Sequence, residues 1–573
     1  MRANRNRTLC FAGLGAILTL LLLVSTACAS AESTATPVKP AQPAPAVAPT
    51  AAPAAASQPT IAPAISAPVS VVPTPTRALP TATPAAASKA QYGGTLRVSH
   101  TFGSIKTMDP HYDLEATNYR VMWTMFNNIV KRDPNFGMVP DLAKSWEVSA
   151  DGKSITFKLN PGMKFQDGTE VNAQAVKWNL DFILNPENSS AQRAELSEGV
   201  QSVDVVDNLT FRINSPKPFR PLLASLSDRS GWIASSTAYQ KFGKDFGKNP
   251  VGSGPFKLKE WVPGGDILVV KNDNYWEKGL PYLDTIKFQT VFDASVRVAM
   301  LRTDESDFVE EMRNTDVPLV EANKNLRLDG GPSGRLWMLI IHVNEPPFNN
   351  LALRQALAYG INRQAILDIW FQGMGRVAYE EGVPAGWWFF TDIKPYSYDP
   401  QKAKAKLAEA GYLKGVDLTM DCDAVQYSSL CEIMQAQLAD IGINIKINPR
   451  ASANYWADFF PSAGHPQHFG PSWRGPRPDP HSNIQRMYHS KGNSNMSGYS
   501  NPQIDKLIED AVTVYDVEKA KSMYHEILKT VTENVTELPL VHPSTYVAMN
   551  KRVQNYILIP DFMTKFREMW TSK

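Results

Sequence analysis

The sequence predicts an α/β protein with more than one lobe. Helical and strand patterns alternate through residues 254–550, as in 286–291 followed by 294–303. Residues 92–573 alone amount to 482 of the 573 residues, more than one hydrophobic core usually organises. No internal repeat is visible in the sequence.

The N-terminus predicts export. Three arginines precede an uncharged and largely apolar stretch over 9–24, the pattern of a secretory signal. Ala27-Cys28 then resembles the bacterial lipobox, in which the cysteine is lipidated, although Ser25 stands where that motif prefers Leu. Two alternatives stay open: ordinary cleavage near 29–31, and an uncleaved anchor long enough to span a bilayer. The lipobox resemblance implies a lipid anchor at Cys28 and an extracytoplasmic location, periplasmic or cell-surface.

Residues 29–91 predict a disordered tether. Pro, Ala, Thr, Ser and Val dominate this stretch, which cannot bury enough apolar surface to offset the entropy of ordering. A spacer suits a protein held away from a membrane, and a low-complexity insertion without a spacing role is the alternative. Residues 1–91 carry a net charge of +5, so the rest sums to −3 against +2 for the whole chain. Nothing basic remains to suggest nucleic-acid binding.

The folded part offers little for catalysis or metal binding. No G-x-S-x-G or S-x-x-K motif occurs, and the zincin-like His525-Glu526 lacks its second His. His465 and His468 are either weak metal-ligand candidates or loop residues. No catalytic residue, metal site or cofactor is therefore predicted, and the protein is expected not to be an enzyme.

Cys422 and Cys431 bracket one predicted loop. A strand is predicted over 416–420 and a helix over 428–441, so the two thiols lie at neighbouring ends of these elements. A disulfide between them and two separate buried thiols are both compatible with this pattern.

A first strand is predicted over 95–99, and helices are predicted over 117–129 and 171–185. The most informative segment lies between these two helices. It contains Pro-Asp-Leu-Ala-Lys-Ser-Trp-Glu-Val-Ser, Asp-Gly, a partner strand and Pro-Gly-Met-Lys-Phe-Gln-Asp-Gly-Thr, over 140–169. Five further segments follow in order, over 249–276, 353–363, 398–412, 438–443 and 501–511. Asn362 departs from the usual Asp. Together these segments resemble the peptide/nickel family (family 5) of extracytoplasmic solute-binding proteins of ABC importers, across 92–573.

The resemblance implies a two-lobed periplasmic-binding-protein-like fold (type II, cluster C) with a subdomain inserted in the first lobe. The core of lobe I is expected over 92–135, 251–345 and 541–573, the insertion over 136–250, and lobe II over 346–540. The protein is expected to be a monomer that captures a peptide or other small solute between its lobes and delivers it to membrane permease subunits. A ligand sensor with the same fold and an extracytoplasmic hydrolase are the alternatives.

One segment bears on the ligand. In peptide-binding relatives, G-W-x-A-D-Y-x-D-P supplies a buried Asp for the peptide ammonium, and here Pro476 stands in that place within 472–480. Proline offers neither a charge nor a donor, so the ligand is expected not to be anchored through a free α-amino group. Arg477 is expected to meet a carboxylate, phosphate or hydroxyl group instead. The alternative is a shifted loop, with another carboxylate holding the amine.

The aromatic run over 387–390 is expected to line the ligand cleft or to pack between the lobes. The predicted ligand-binding residues are Trp473, Arg477, Arg474, Asp479, Trp387, Trp388, Ser104 and Tyr112.

Overall fold

A computed structural model describes residues 90–100, 105–112, 118–384, 386–459, 469–477, 479–559 and 564–572. The predicted signal segment, the tether and several predicted functional residues lie outside the described residues: Cys28, Ser104, His465 and His468.

Strands and helices alternate along the described chain. The strands are β1 (Thr95–His100), β2 (Val130–Arg132), β3 (Met138–Pro140), β4 (Ala143–Val148), β5 (Ser154–Leu159), β6 (Ser202–Asp207), β7 (Thr210–Asn214), β8 (Phe256–Trp261), β9 (Ile267–Lys271), β10 (Thr285–Thr290), β11 (Phe308–Val309), β12 (Leu326–Pro332), β13 (Leu336–Ile341), β14 (Gly375–Val377), β15 (Val416–Asp423), β16 (Ile443–Arg450), β17 (Phe469–Arg474), β18 (Glu537–Asn550), β19 (Val553–Gln554) and β20 (Trp570–Thr571). The helices are α1 (Tyr119–Met125), α2 (Ala173–Leu184), α3 (Arg193–Leu196), α4 (Leu222–Leu226), α5 (Ser236–Phe242), α6 (Ala294–Arg302), α7 (Val317–Glu321), α8 (Leu351–Gly360), α9 (Arg363–Trp370), α10 (Pro400–Glu409), α11 (Ser428–Ala439), α12 (Ser452–Phe459), α13 (Pro480–Tyr488), α14 (Pro502–Ala511) and α15 (Val517–Glu533).

Several helices begin where the sequence places an Asx-Pro pair. The side chains of Asp399, Asp479 and Asn501 cap α10, α13 and α14 by accepting hydrogen bonds from backbone N–H groups in the first turn. The proline that follows each cap has no N–H to leave unpaired, and its φ already suits a helix.

The largest sheet has ten strands and joins the two halves of the fold. Its order is β17-β13-β18-β11-β1-β10-β9-β8, with β12 and β14 also paired to β18. The first half of β18 pairs with β13, for example Val541 opposite Trp337, and its second half pairs with β12, for example Thr545 opposite Gly331. We call the part built on β1 and β10–β12 the first lobe, and the part built on β13 and β15–β17, with α13–α15, the second lobe.

Separate apolar clusters lie in these parts. One surrounds β1 and β10 in the first lobe, and another surrounds β13, α8 and β15 in the second. A third fills the four-stranded antiparallel sheet β4-β5-β7-β6, where Phe157 stacks on Phe211 with ring centroids 4.9 Å apart. We call this sheet, with the helices packed on it, the inserted subdomain.

Helix α1 is shorter than predicted. The pattern predicted a helix over 117–129, but Phe126 already has an extended backbone. Asn127 and Asn128 then turn their side chains to other parts of the first lobe, where Asn127 donates to the Asp141 carboxylate. Such competing hydrogen bonds end a helix that apolar spacing alone would continue. The helix predicted over 171–185 is confirmed as α2.

The structure contains a disulfide between Cys422 and Cys431. It joins the end of β15 to the first turn of α11, and both residues are buried. Among the described residues, no helix combines the length and apolar character needed to cross a membrane.

Removing this disulfide is expected to destabilise the second lobe. The bridge closes a loop with a sequence separation of nine residues, and the loss of that constraint on the unfolded chain is worth about 2–3 kcal/mol. We expect the Cys422→Ala/Cys431→Ala variant to show a free energy of unfolding lower by this amount in urea titrations. Reductant should lower the stability of the wild type similarly and leave the variant unchanged. Equal unfolding free energies for the oxidised wild type and the variant would contradict the prediction.

Candidate functional site

The chain crosses between the lobes at residues 333–335, the short link between β12 and β13. Ser333 donates through its backbone N–H to the Pro543 carbonyl oxygen at 2.9 Å, and its hydroxyl donates to the same oxygen at 2.6 Å. Gly334 approaches the predicted ligand loop so closely that a Cβ there would lie 2.5 Å from the Cβ of Pro476. A residue without a side chain is therefore needed at this crossing.

His542 fixes the third residue of the link. Its Nδ1 lies 3.0 Å from the carbonyl oxygen of Arg335. Burial lowers the pKa of His542 to about 4, with a further lowering by Arg376, so the ring is neutral at pH 7. A neutral imidazole facing a carbonyl oxygen must carry its proton on Nδ1, which donates to Arg335.

A cavity of about 40 Å³ lies on the first-lobe side of the link. Its polar lining includes Arg120, Glu310 and Glu311, and Ser333 closes it on the link side. Arg120 contacts both carboxylates, with Nε 3.3 Å from Glu310 and Nη1 3.1 Å from Glu311. Burial raises the pKa of Glu310, although Arg120 opposes the shift. The cavity thus has room for about one water molecule among charged groups.

Glu311 has an unusual backbone for its residue type. Its φ is 55°, in the left-handed region that non-glycine residues seldom adopt. Arg297 holds this conformation by donating from Nη2 to the Glu311 carbonyl oxygen at 2.8 Å. Strain of this kind is most often kept where it positions a functional side chain, and here it presents a carboxylate at the carboxyl end of β11.

Arg335 lies where the two lobes meet. Its guanidinium carbon lies 4.6 Å from the ring centroid of Trp473, a cation–π contact within the second lobe. Burial lowers the pKa of Arg335, and the fields of Glu311 from the first lobe and Tyr427 from the second oppose that shift. The predicted residue Trp473 is therefore paired with a cation that the motifs did not indicate.

Asp228 is subject to the charge of several arginines, from the first lobe and from the loop after β17. Burial opposes the charge of this carboxylate, yet its pKa is lowered. The cause is the combined field of three guanidiniums, those of Arg132, Arg229 and the predicted residue Arg477. Burial lowers the pKa of Arg486, and Arg477 lowers it further. Arg132 lies 3.7 Å from the Asp228 carboxylate, and Arg477 in the loop after β17 adds to the positive field at this group.

Arg474 has a different environment from its neighbours in the loop. It is buried, with Nη1 2.7 Å from the Glu381 carboxylate and Nη2 in contact with Glu537. Glu537 also accepts a hydrogen bond from the Tyr488 hydroxyl. This predicted ligand residue is therefore engaged by two carboxylates within the second lobe.

Asp479 is engaged in two ways. Its side chain caps α13 by accepting from the His481 N–H, and it also contacts Arg220 of the inserted subdomain. Trp387 covers the same arginine, with its ring centroid 4.9 Å from the guanidinium carbon.

Two other predicted residues pack against aromatic rings. Trp388 is 3% exposed and packs edge-on against Phe136. Tyr112 is 41% exposed and meets Phe182 in the inserted subdomain.

Sequence reasoning missed Arg335, Arg229 and Glu311. No motif marks them, because each is a single charged residue at a strand end or turn. Gly334 beside Arg335 was the one available signal, since a glycine between two strands often marks a close backbone approach. Within the described ranges, no group of three or more His, Cys, Asp or Glu side chains is arranged to hold a metal ion.

Comparison with known proteins places this chain in a family. The profile of the bacterial extracellular solute-binding proteins, family 5, matches residues 137–495. The glutathione-binding protein GsiB of Salmonella typhi is 31% identical over 466 residues, covering 79% of this chain and 90% of that protein.

Solved structures share the fold. The periplasmic binding protein DppA of Helicobacter pylori, in complex with the peptide STSA, has a TM-score of 0.73 at 23% identity, covering 84% of this chain and 99% of its own. AgaA of A. tumefaciens R10, in complex with agropinic acid, has a TM-score of 0.71 at 26% identity, with 84% and 99% covered. The predicted two-lobed fold is confirmed, and the chain belongs to the family 5 solute-binding proteins, the substrate-binding components of ABC importers.

Proposed function

We propose that this chain captures an anionic small solute between its lobes and hands it, unchanged, to a membrane permease. The arginines around Asp228 carry the proposal: Arg132 lies 3.7 Å from its carboxylate, and Arg229 and Arg477 add to the positive field at this group. A carboxylate or phosphate entering the cleft would meet donors from both sides, so binding it would favour lobe closure. Arg335, stacked on Trp473 at the lobe link, adds a further guanidinium beside an aromatic face.

The carboxylates near the predicted ligand loop support the same ligand class. Asp479 is engaged by Arg220, and Glu381 and Glu537 are engaged by Arg474. A ligand ammonium would have to compete with guanidiniums for each of these groups, which are already charge-paired and buried. Together with Pro476, this favours a ligand held through its acidic groups rather than through a free α-amino group.

The relatives are compatible with an acidic ligand. By their names, GsiB binds glutathione and AgaA was solved with agropinic acid, and both compounds contain carboxyl groups. DppA, solved with a peptide, shares the fold at lower identity. We therefore place this chain with the acid-binding members, as a monomer that performs no chemistry on its solute. Genes for two permease subunits and an ATPase beside its own would separate transport from sensing.

The position of the protein at the membrane follows from its N-terminus. We propose that Cys28 is lipidated and that residues 29–91 hold the lobes away from the bilayer. The apolar stretch before Cys28 and the Pro/Ala-rich stretch after it support this arrangement.

Ligand binding tests the acidic-solute proposal. Native mass spectrometry of the purified protein would first identify any carried-over solute. Calorimetric titration would then compare glutathione with unmodified and N-acetylated di- to pentapeptides. We expect Arg477→Ala to weaken binding of the preferred solute about thirtyfold, because one partner of a buried charge contact is lost, and N-acetylation to have little effect.

The matched control is Arg212→Met, which removes an exposed arginine of β7 and should leave the affinity unchanged. Nanomolar to micromolar binding of unmodified peptides, lost on N-acetylation and insensitive to Arg477→Ala, would show that an amine anchors the ligand.

Lipidation is tested in the native host. Cys28→Ala should move the protein from the membrane fraction to the soluble extracytoplasmic fraction, because the acyl chains that hold it would be absent. Cys10→Ala, within the apolar stretch, is the matched control and should leave membrane retention unchanged. Retention of the Cys28→Ala protein would instead indicate an uncleaved membrane helix.

A further inference from the structure

Arg220 joins the inserted subdomain to the second lobe. Its Nη2 donates to Asp479 Oδ1 at 3.1 Å, and its Nη1 contacts Oδ2, so the two groups meet through both oxygens. The side chains are 10% and 4% exposed. On the second-lobe side, Trp387 covers the guanidinium at 4.9 Å, and the Tyr524 hydroxyl lies 3.4 Å from Nη2. Arg220 and Asp479 thus form a bidentate ion pair, which aromatic rings partly enclose.

Other contacts follow the same boundary. His481 Nε2 lies 3.2 Å from Glu198, and the Tyr515 hydroxyl donates to the Gly152 carbonyl oxygen at 3.3 Å. The Arg220 N–H donates to the Val512 carbonyl oxygen at 3.0 Å. The inserted subdomain therefore touches the second lobe at a patch that the chain does not cross. The two lobes are covalently joined elsewhere, through β18 and the link at 333–335.

We propose that the Arg220–Asp479 pair is a closure latch, and that Arg220 is a positioning residue that sets ligand affinity through Asp479. The proposal goes beyond the ligand class argued above and rests only on the two-lobed binding fold. Both oxygens of Asp479 are occupied by Arg220 and the α13 cap. The pair therefore has one geometry, reached only when the inserted subdomain and the second lobe are in contact.

The chemistry of the pair suits a reversible contact. Bringing Arg220 and Asp479 together costs the hydration of two charges, and their mutual attraction returns a similar amount. Opening would return both groups to water, so the latch biases the lobes toward closure without locking them. The cation–π contact between Trp387 and Arg220 stabilises mainly the closed arrangement, because such a contact is stronger when the guanidinium is partly dehydrated.

Removing the latch should lower the fraction of closed molecules and have little effect on the stability of the folded protein. Apparent affinity scales with the fraction of molecules in the binding-competent state, so a lost latch weakens binding without touching the ligand. The inserted subdomain packs around one apolar cluster, which also includes Val512 of the second lobe, and the second lobe packs around two others, one of which includes Phe136 of the β2–β3 turn. The substitution removes no member of these clusters.

Spin labels can report closure in the ligand-free full chain. Labels attached through a ketone-bearing amino acid at the exposed positions 158 and 414 avoid the native cysteines and lie on the inserted subdomain and second lobe. In wild type, we expect a measurable closed population alongside the open one. Arg220→Met should lower the closed-to-open ratio about tenfold, and Asp479→Asn should do the same while keeping an acceptor oxygen for the α13 cap.

The controls separate a latch from general destabilisation. Arg212→Met should leave the distance distribution unchanged, and the Arg220→Met/Asp479→Asn double variant should match the single variants rather than add to them. The proposal is overturned if the wild-type and Arg220→Met distributions coincide, if wild type shows no closed population, or if the double variant is additive. A lower melting temperature with unchanged distances would also overturn it, by assigning the pair a purely structural role.

Discussion

Both lobes hydrogen-bond to the same fourteen-residue strand, β18, and the binding site depends on that shared pairing. Side chains alternate along a strand, so its register against β12 and β13 fixes which groups face the space between the lobes. The link at 333–335 crosses beside Pro543, and His542 holds the carbonyl of Arg335. The site is thus positioned by backbone pairing before any ligand contributes.

Two pairs of arginines differ in their surroundings. Arg474 and Arg120 each hold two carboxylates and tie together elements of one lobe. Arg477 and Arg229 instead both add to the positive field at the Asp228 carboxylate. Crowding cations costs free energy, which the Asp228 carboxylate offsets in part and a bound anion would offset further. The contrast distinguishes arginines that are each held by two carboxylates from arginines that we propose to bind the solute.

Local features of the sequence predicted local structure well. The spacing over 171–185 predicts α2, and the two cysteines flank one strand-to-helix loop. Side-chain partners across the fold could not be predicted in the same way. Arg335 meets Trp473 only because β13 and β17 are neighbours in the sheet, and no local pattern encodes that adjacency. Trp388 was expected to line the cleft or to pack between the lobes, and it packs against Phe136 of the β2–β3 turn, a partner far away in the sequence.

In the arrangement that we propose, the loop after β17 connects ligand binding with closure. Arg477 contributes to the positive field around Asp228, and Asp479, two residues later, receives Arg220 and begins α13. Pro480 fixes the backbone that follows, so a displacement of Asp479 is transmitted to the helix rather than absorbed in the loop. An anion that draws Arg477 toward the first lobe would bring Asp479 toward the inserted subdomain. Ligand recognition and the Arg220 contact would then favour the same closed arrangement, and each would strengthen the other.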